Sequence, residues 1–218
     1  MGHMNNLVQL EKIRFSHDNT RILDGLDFRL EQGEKLGLAG SIGAGKTTLL
    51  HLVVGLLKPQ KGRISVFGIE RSKEEDFREV RRKVGLVFQN PDDQLFCPTV
   101  LEDVAFGPLN LGYSVEEART VAEETLARVG LAGFGNRITY RLSGGEKRLV
   151  ALASVLSMTP EVLLLDEPQN GLDPAAYERV RKLLISLPQA MVVVSHDREF
   201  LEAVTSKCLR LEQGTIQS

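Results

Sequence analysis

Eight consecutive residues, Gly40-Ser41-Ile42-Gly43-Ala44-Gly45-Lys46-Thr47, have the types and spacing of a loop that cradles phosphate. A polyphosphate needs many donors at close range. Glycines let successive backbone N–H groups curl round phosphate oxygens with no Cβ in the way. A helix that starts there points its positive end at the anion. Lys46 would reach the outer phosphates, the Thr47 hydroxyl would ligate Mg²⁺, and Gly40, Ser41, Gly43, Ala44, Gly45 and Thr48 complete the expected contact set. A glycine-rich strand-to-helix turn with a solvated lysine has the same spacing, so the rest of the chain must decide.

Other residues suit the same chemistry. Asp166-Glu167 follows the apolar run Val162-Leu163-Leu164-Leu165. A carboxylate at the end of a buried strand, beside a phosphate loop, can hold Mg²⁺ through its water shell. Glu167 could then orient and deprotonate an attacking water. Two solvated acids capping a strand are the alternative. His196 and Gln89 also follow apolar runs. His196 could hydrogen-bond a terminal phosphate or the water, although a lone histidine is more often structural. Ser143-Gly144-Gly145 opens a helical pattern and offers a hydroxyl and free N–H groups, either as a second anion site or as an ordinary helix cap.

Elements that could position these groups are legible in the hydrophobic pattern. Residues 7–31 alternate apolar and polar around an Asp18-Asn19 turn, which predicts antiparallel strands with one covered face. Lys35–Ala39 is a buried strand leading into the loop, and a helix follows to about Leu57. Arg63–Phe67, Val84–Phe88, Val162–Leu165 and Met191–Val194 are further strands. Helices are predicted over 70–83, 100–110, 115–129 (with Ser114 and Glu117 as a capping box), after Gly145, and over 174–187 and 199–205. Leu209–Leu211 with Gly214-Thr215-Ile216 predicts a closing hairpin. All-apolar strands alternating with helices mean an α/β fold with a mostly parallel sheet covered on both faces. Ligands bind at the carboxyl ends of such strands, where Thr47, Gln89, Glu167 and His196 all fall.

Composition narrows the class. The chain has 218 residues, 42% hydrophobic and 26% charged, with a formal net charge of −2. That balance carries no global basic footprint for nucleic acid. Cys97 and Cys208 are far apart without metal-ligand spacing, so buried or inert thiols are expected. No apolar run reaches the roughly 18 residues of a membrane span. Met1-Gly2-His3-Met4 reads as a cloning scar, with one domain over 5–218.

Taken in order, these features resemble the nucleotide-binding subunits of ATP-binding-cassette (ABC) transporters, which have a P-loop NTPase fold. The matching stretches are the phosphate loop Gly40–Thr47, a Q-loop at Gln89, the signature Leu142-Ser143-Gly144-Gly145-Glu146, the strand Val162–Asp166 with Glu167, a D-loop Asn170-Gly171-Leu172-Asp173, and a switch histidine at His196. The block Gln89-Asn90-Pro91-Asp92-Asp93-Gln94-Leu95-Phe96, with Pro98-Thr99-Val100 and Glu102-Asp103-Val104-Ala105-Phe106-Gly107-Pro108, is similar to the energy-coupling-factor ATPases of cobalt, nickel and vitamin importers.

The resemblance implies an N-terminal antiparallel β part, a helical subdomain over about 92–155, and two cassettes paired head to tail around two ATP molecules. Ser143, Gly144, Gly145 and Glu146 of one subunit would complete the site on the other, which gives the second anion site a purpose. Thr47 and Gln89 would hold Mg²⁺ with Asp166 in the outer shell, Glu167 would be the base, His196 would stabilise the transferring phosphoryl group, and Asp173 would act across the dimer. It implies a transmembrane energy-coupling scaffold, a substrate-binding membrane protein, a homodimer or a heterodimer with a second ATPase, and a peripheral place on the cytoplasmic face of the membrane. A non-transport ABC ATPase acting on DNA or ribosomes is the alternative, disfavoured by the short, heptad-free interval between Gln89 and Ser143.

Some positions depart from the pattern. His17 stands where an aromatic commonly stacks on adenine, and Phe15 is a poor substitute if it faces the sheet. Leu149 replaces a usual arginine and Gln169 a common threonine, and neither is expected to touch the core chemistry. The chain stops soon after the hairpin, without the C-terminal extension many energy-coupling-factor ATPases carry, so the dimer is expected to depend more on ATP and the membrane partner.

Overall fold

Every residue of Val162–Asp166 is buried, which a strand achieves only with cover on both faces. The computed structural model describes residues 6–217, so the proposed scar at residues 1–4 lies outside the described residues. In chain order the strands are β1 (Asn6–His17), β2 (Thr20–Glu31), β3 (Lys35–Ala39), β4 (Lys61–Val66), β5 (Ile69–Glu70), β6 (Val84–Val87), β7 (Val162–Asp166), β8 (Ala190–Val194), β9 (Lys207–Glu212) and β10 (Thr215–Gln217). The helices are α1 (Lys46–Val53), α2 (Glu74–Lys83), α3 (Val100–Leu111), α4 (Val115–Arg128), α5 (Gly144–Leu156), α6 (Pro174–Ser186) and α7 (Arg198–Val204).

Two sheets form. One is antiparallel, in the order β2-β1-β4-β5, and the other runs β10-β9-β3-β8-β7-β6. In the second sheet β9, β3, β8, β7 and β6 are parallel, and β10 returns as the predicted hairpin. Alternation along β7 divides the interior. Val162 and Leu164 join the cluster under α1 and the antiparallel sheet. Leu163 and Leu165 join the cluster containing α3, α4, α5, α6 and α7 residues. Each central strand thus feeds two hydrophobic layers, and this fixes its register because a one-residue slip would exchange them.

Two boundaries differ from expectation. Helix α1 ends at Val53, not near Leu57. Gly55 has φ +71°, and a Cβ there would lie 2.2 Å from the Phe77 ring, so the chain turns beneath α2 instead of continuing. The charged helix begins at Glu74, after the short strand β5, and buries Phe77 and Val80. The predicted Ser114 cap forms: Glu117 Oε2 accepts from the Ser114 N–H at 2.8 Å. Thr99 and Glu102 make the same cap on α3.

Candidate active site

Four adjacent strands, β3, β8, β7 and β6, end on one side of the sheet. They deliver the glycine-rich loop, His196, Asp166 with Glu167, and Gln89 to a single cavity of about 590 Å³. Gly43, Ala44, Gly45, Lys46, Thr47 and Thr48 line it, and its apolar rim includes Ile22 and Phe15. The predicted strand-end cluster is therefore one place in space.

Loop and helix geometry follow from local constraints. Gly45 sits at the N-terminus of α1 with φ +100°, and a Cβ there would come within 2.9 Å of Leu23 and Ile22 side-chain carbons. Only glycine lets the loop pass this close to β2 in a left-handed conformation. Lys46 is 6% exposed and donates from Nζ to the carbonyls of Gly40 and Ser41, each at 2.9 Å. Its ammonium is thereby held across the mouth of the loop. Burial lowers its pKa, and the Glu167 and Asp166 carboxylates oppose that shift.

On the facing side, Thr47 Oγ1 donates to Asp166 Oδ2 at 2.6 Å. Burial raises the Asp166 pKa, with the Thr47 bond working against it. Thr47, Asp166 and Gln89 form a hard, oxygen-rich donor set, which suits Mg²⁺ and no soft metal. Among the described residues the buried Asp166 carboxylate has only the neutral Thr47 hydroxyl as its side-chain hydrogen-bond donor, so a cation would improve its surroundings.

Glu167 is 5% exposed, with φ +50°, a costly conformation for a residue with a side chain. Several contacts hold it there. Its N–H donates to Val194 O at 2.9 Å, and its carbonyl accepts from Asn170 N–H at 3.1 Å, closing a turn with Pro168. Arg148 Nη1 reaches the same carbonyl at 3.2 Å, and Arg148 Nη2 donates to Gln89 O at 2.7 Å. Glu167 Oε2 accepts from Gln169 Nε2 at 2.9 Å, while Oε1 makes no hydrogen bond and lies 3.3 Å from His196 Nε2.

Gln169 therefore corrects an expectation. The turn over Glu167-Pro168-Gln169-Asn170 folds the side chain back, so it touches the carboxylate directly. Leu149 is 4% exposed and belongs to the hydrophobic core, clear of the polar cluster. Arg148, one position earlier, was not singled out by sequence reasoning. A charged residue inside an otherwise apolar helix face was the available signal.

The Q-loop block is fastened to α5. Gln94 Nε2 donates to Ala151 O (2.7 Å) and Ser154 Oγ (2.9 Å), while Oε1 accepts from Phe88 N–H. Asp92 pairs with Lys147 at 2.5 Å. Buried Asp103 accepts from the N–H groups of Phe96 and Cys97 and from Thr139 Oγ1. Movement of α5 would therefore carry the Gln89 segment with it.

Ser143 and Gly144 are exposed at the start of α5 and, with Gly145 and Glu146, lie outside the residues that line the cavity. Ser143 and Glu146 form a capping box, so the helix-cap reading of this stretch is realised in the fold. Asp173 caps α6, with Oδ1 accepting from Ala175 and Ala176 N–H at 2.9 Å. Gly40 and Ser41 line a neighbouring cavity on the β9 side. His17 lines the rim with a largely exposed side chain, and Phe15 is buried in the sheet yet also borders the cavity. Of the two thiols, Cys97 is half-buried with its pKa pushed up, which fits the inert thiol expected, and Cys208 is exposed.

A profile of the ABC transporter family matches residues 23–170. The chain is 51% identical to a putative ABC transporter ATP-binding protein of Brucella suis, over 98% of this chain and 89% of that one. It is 43% identical to the energy-coupling factor transporter ATP-binding protein EcfA of Methanocaldococcus jannaschii, over 96% of this chain and 77% of that one. Among solved structures, the ATP-binding cassette MJ0796, a dimer in a post-hydrolysis state bound to ADP and Pi, superposes with a TM-score of 0.89. It is 27% identical, and 97% of each chain is covered.

Proposed function

We propose how this chain works from one established premise: it belongs to the ABC transporter family and is an ATP-hydrolysing member of it. In our reading it powers an energy-coupling-factor importer of a metal ion such as cobalt or nickel, or of a vitamin. Residues 5–218 act as one nucleotide-binding domain, with its helical part over about 92–155. The observation that carries the reading is the convergence of Lys46, Thr47, Gln89, Asp166, Glu167 and His196 on one cavity. Similarity to EcfA and the block Gln89–Phe96 support the importer class.

The residues divide the work. Lys46 and the N–H groups of Gly43 to Thr48 bind the phosphates, while Phe15, His17 and Ile22 border the base. Thr47 and Gln89 would hold Mg²⁺, with Asp166 beside them. Mg²⁺ held there would supply positive charge against the phosphates. Glu167 takes a proton from the attacking water through Oε1, the oxygen left without a hydrogen bond. General-base help of this kind is worth about 10²–10⁴ in rate. His196, beside that oxygen, steadies the water or the phosphoryl group.

The signature stretch lies outside the cavity of its own subunit, which supports its use by a second cassette. Ser143 and the N–H groups of Gly144 and Gly145, with Glu146 beside them, then meet the γ-phosphate held by the partner's loop, with Asp173 at the same edge. Neighbour MJ0796 is a dimer, and that likeness supports the pairing. ATP closes the pair and hydrolysis releases it.

No helix among the described residues is long and apolar enough to cross a membrane. In our reading transport runs through a transmembrane scaffold and a substrate-binding membrane protein, with this chain peripheral on the cytoplasmic face. The exposed pair Phe96 and Phe106, edge-on at 4.9 Å, with Leu109 and Tyr113 exposed nearby in sequence, supports docking beside the Q-loop. Affinity purification from detergent-solubilised membranes tests this. A small membrane-embedded pair of proteins recovered with the chain is expected. Recovery with ribosomes or DNA instead would overturn the transport reading and leave the ATPase standing.

A further inference from the structure

We propose that Gln169 is the positioning residue of the catalytic carboxylate, selecting which Glu167 oxygen receives the proton. The proposal rests on the reading of Glu167 as base. It starts from an asymmetry. The two carboxylate oxygens are chemically equal in water, yet here Oε2 is occupied and Oε1 is not. Gln169 Nε2 donates to Oε2 at 2.9 Å, and the His196 backbone N–H approaches the same oxygen at 3.4 Å. Oε1 has no hydrogen bond.

The amide itself is anchored. Its second Nε2 proton goes to Ser195 Oγ at 2.7 Å, and that hydroxyl also accepts from Asp197 N–H at 2.9 Å. Gln169 is 9% exposed and Ser195 1% exposed, so little water competes for these bonds. Its orientation is forced, because an amide oxygen facing Glu167 would set two acceptors against each other. Gln169 thus ties Glu167, at the end of β7, to Ser195, at the end of β8. The tie crosses the gap between neighbouring strands. Through Ser195 and Asp197 it reaches the segment that carries His196.

A free carboxylate would rotate about its last bond and share the two oxygens between the pocket and its walls. Fixing Oε2 leaves Oε1, itself buried, 3.3 Å from His196 Nε2, and Glu167 and His196 both line the cavity. Reaction rates are sensitive to such placement, since a misplacement of about 1 Å can cost 10²-fold. Gln169 is absent from the cavity lining, so it acts on the chemical step and not on nucleotide affinity.

Steady-state hydrolysis of Mg·ATP by the purified full chain tests the assignment. Gln169→Met keeps the length and bulk of the side chain and removes both donors. The expected result is a kcat lowered about tenfold or more with KM for ATP within about twofold of the parent. Ser195→Ala, which cuts one anchor and keeps the Glu167 bond, is expected to give a smaller loss, and it serves where Gln169→Met does not fold. Glu167→Gln is measured beside them. If Glu167→Gln is inactive while both other variants turn over like the parent, the positioning role is overturned and the base stands. If Glu167→Gln turns over normally, the base assignment itself has failed. A matched rise in KM with unchanged kcat would make Gln169 a packing or binding residue and would also overturn the proposal.

Discussion

The Thr47 hydroxyl donates to Asp166 across 2.6 Å, joining the first turn of α1 to the end of β7. In the proposed function both residues would serve the cation. Asp166→Asn keeps an oxygen that can accept from Thr47 and removes the charge. The variant is expected to fold, to bind ATP, and to lose hydrolysis by about 10²-fold or more, because the metal's charge is then poorly compensated. Turnover in a coupled phosphate-release assay checks this, and near-parent rates would remove Asp166 from the site.

Arg148 is the buried cation that joins the Q-loop to the turn after β7. Its truncation to Met takes the donor from the Gln89 carbonyl and one of two donors from the Glu167 carbonyl, which keeps the Asn170 N–H. An unsatisfied buried acceptor costs about 1–3 kcal/mol, part of it recovered here by removing a desolvated charge. For a chain of this size a net loss of about 1 kcal/mol lowers the melting temperature by about 2–4 °C. Turnover is expected to fall as well, since both Gln89 and Glu167 lose a fixed backbone. A melt within about one degree of the parent would show that these bonds contribute little.

The thiols give a prediction with a defined pH direction. Burial, followed by the nearby Asp103 carboxylate, pushes the Cys97 thiol up to about 11. At pH 8 only about one part in a thousand of that thiol is the reactive thiolate. Cys208 is exposed. Iodoacetamide at pH 8 should therefore label Cys208 first, with Cys97 labelling faster as the pH rises towards 11. Peptide mapping by mass spectrometry reads both sites. Equal labelling at pH 8 would place Cys97 in water.

Much of this was legible in the sequence where local patterns carry the signal. Period-two alternation marked β1 and β2, uninterrupted apolar runs marked β7 and β8, and the Gly40–Thr47 spacing marked the loop before any fold was known. Arg148 and Gln169 escaped for a physical reason. Arg148 reaches a carbonyl 59 positions away, a contact that exists only after β6 and α5 are placed. Gln169 bonds Glu167 only two residues back but needs the Pro168 turn and the Ser195 anchor to do so. The end of α1 was misplaced because Gly55 is read against Phe77, a tertiary neighbour. Gln94 likewise gained its meaning from α5.

In the proposed cycle two cassettes share each ATP, and Glu167 is the group that ends the closed state. Light scattering of Glu167→Gln with saturating Mg·ATP tests it most directly. A stable dimer is expected for this variant, and a monomer again when Ser143→Arg is added, because that substitution blocks the partner's phosphate. A Glu167→Gln chain that binds ATP fully and remains a monomer would contradict the shared site.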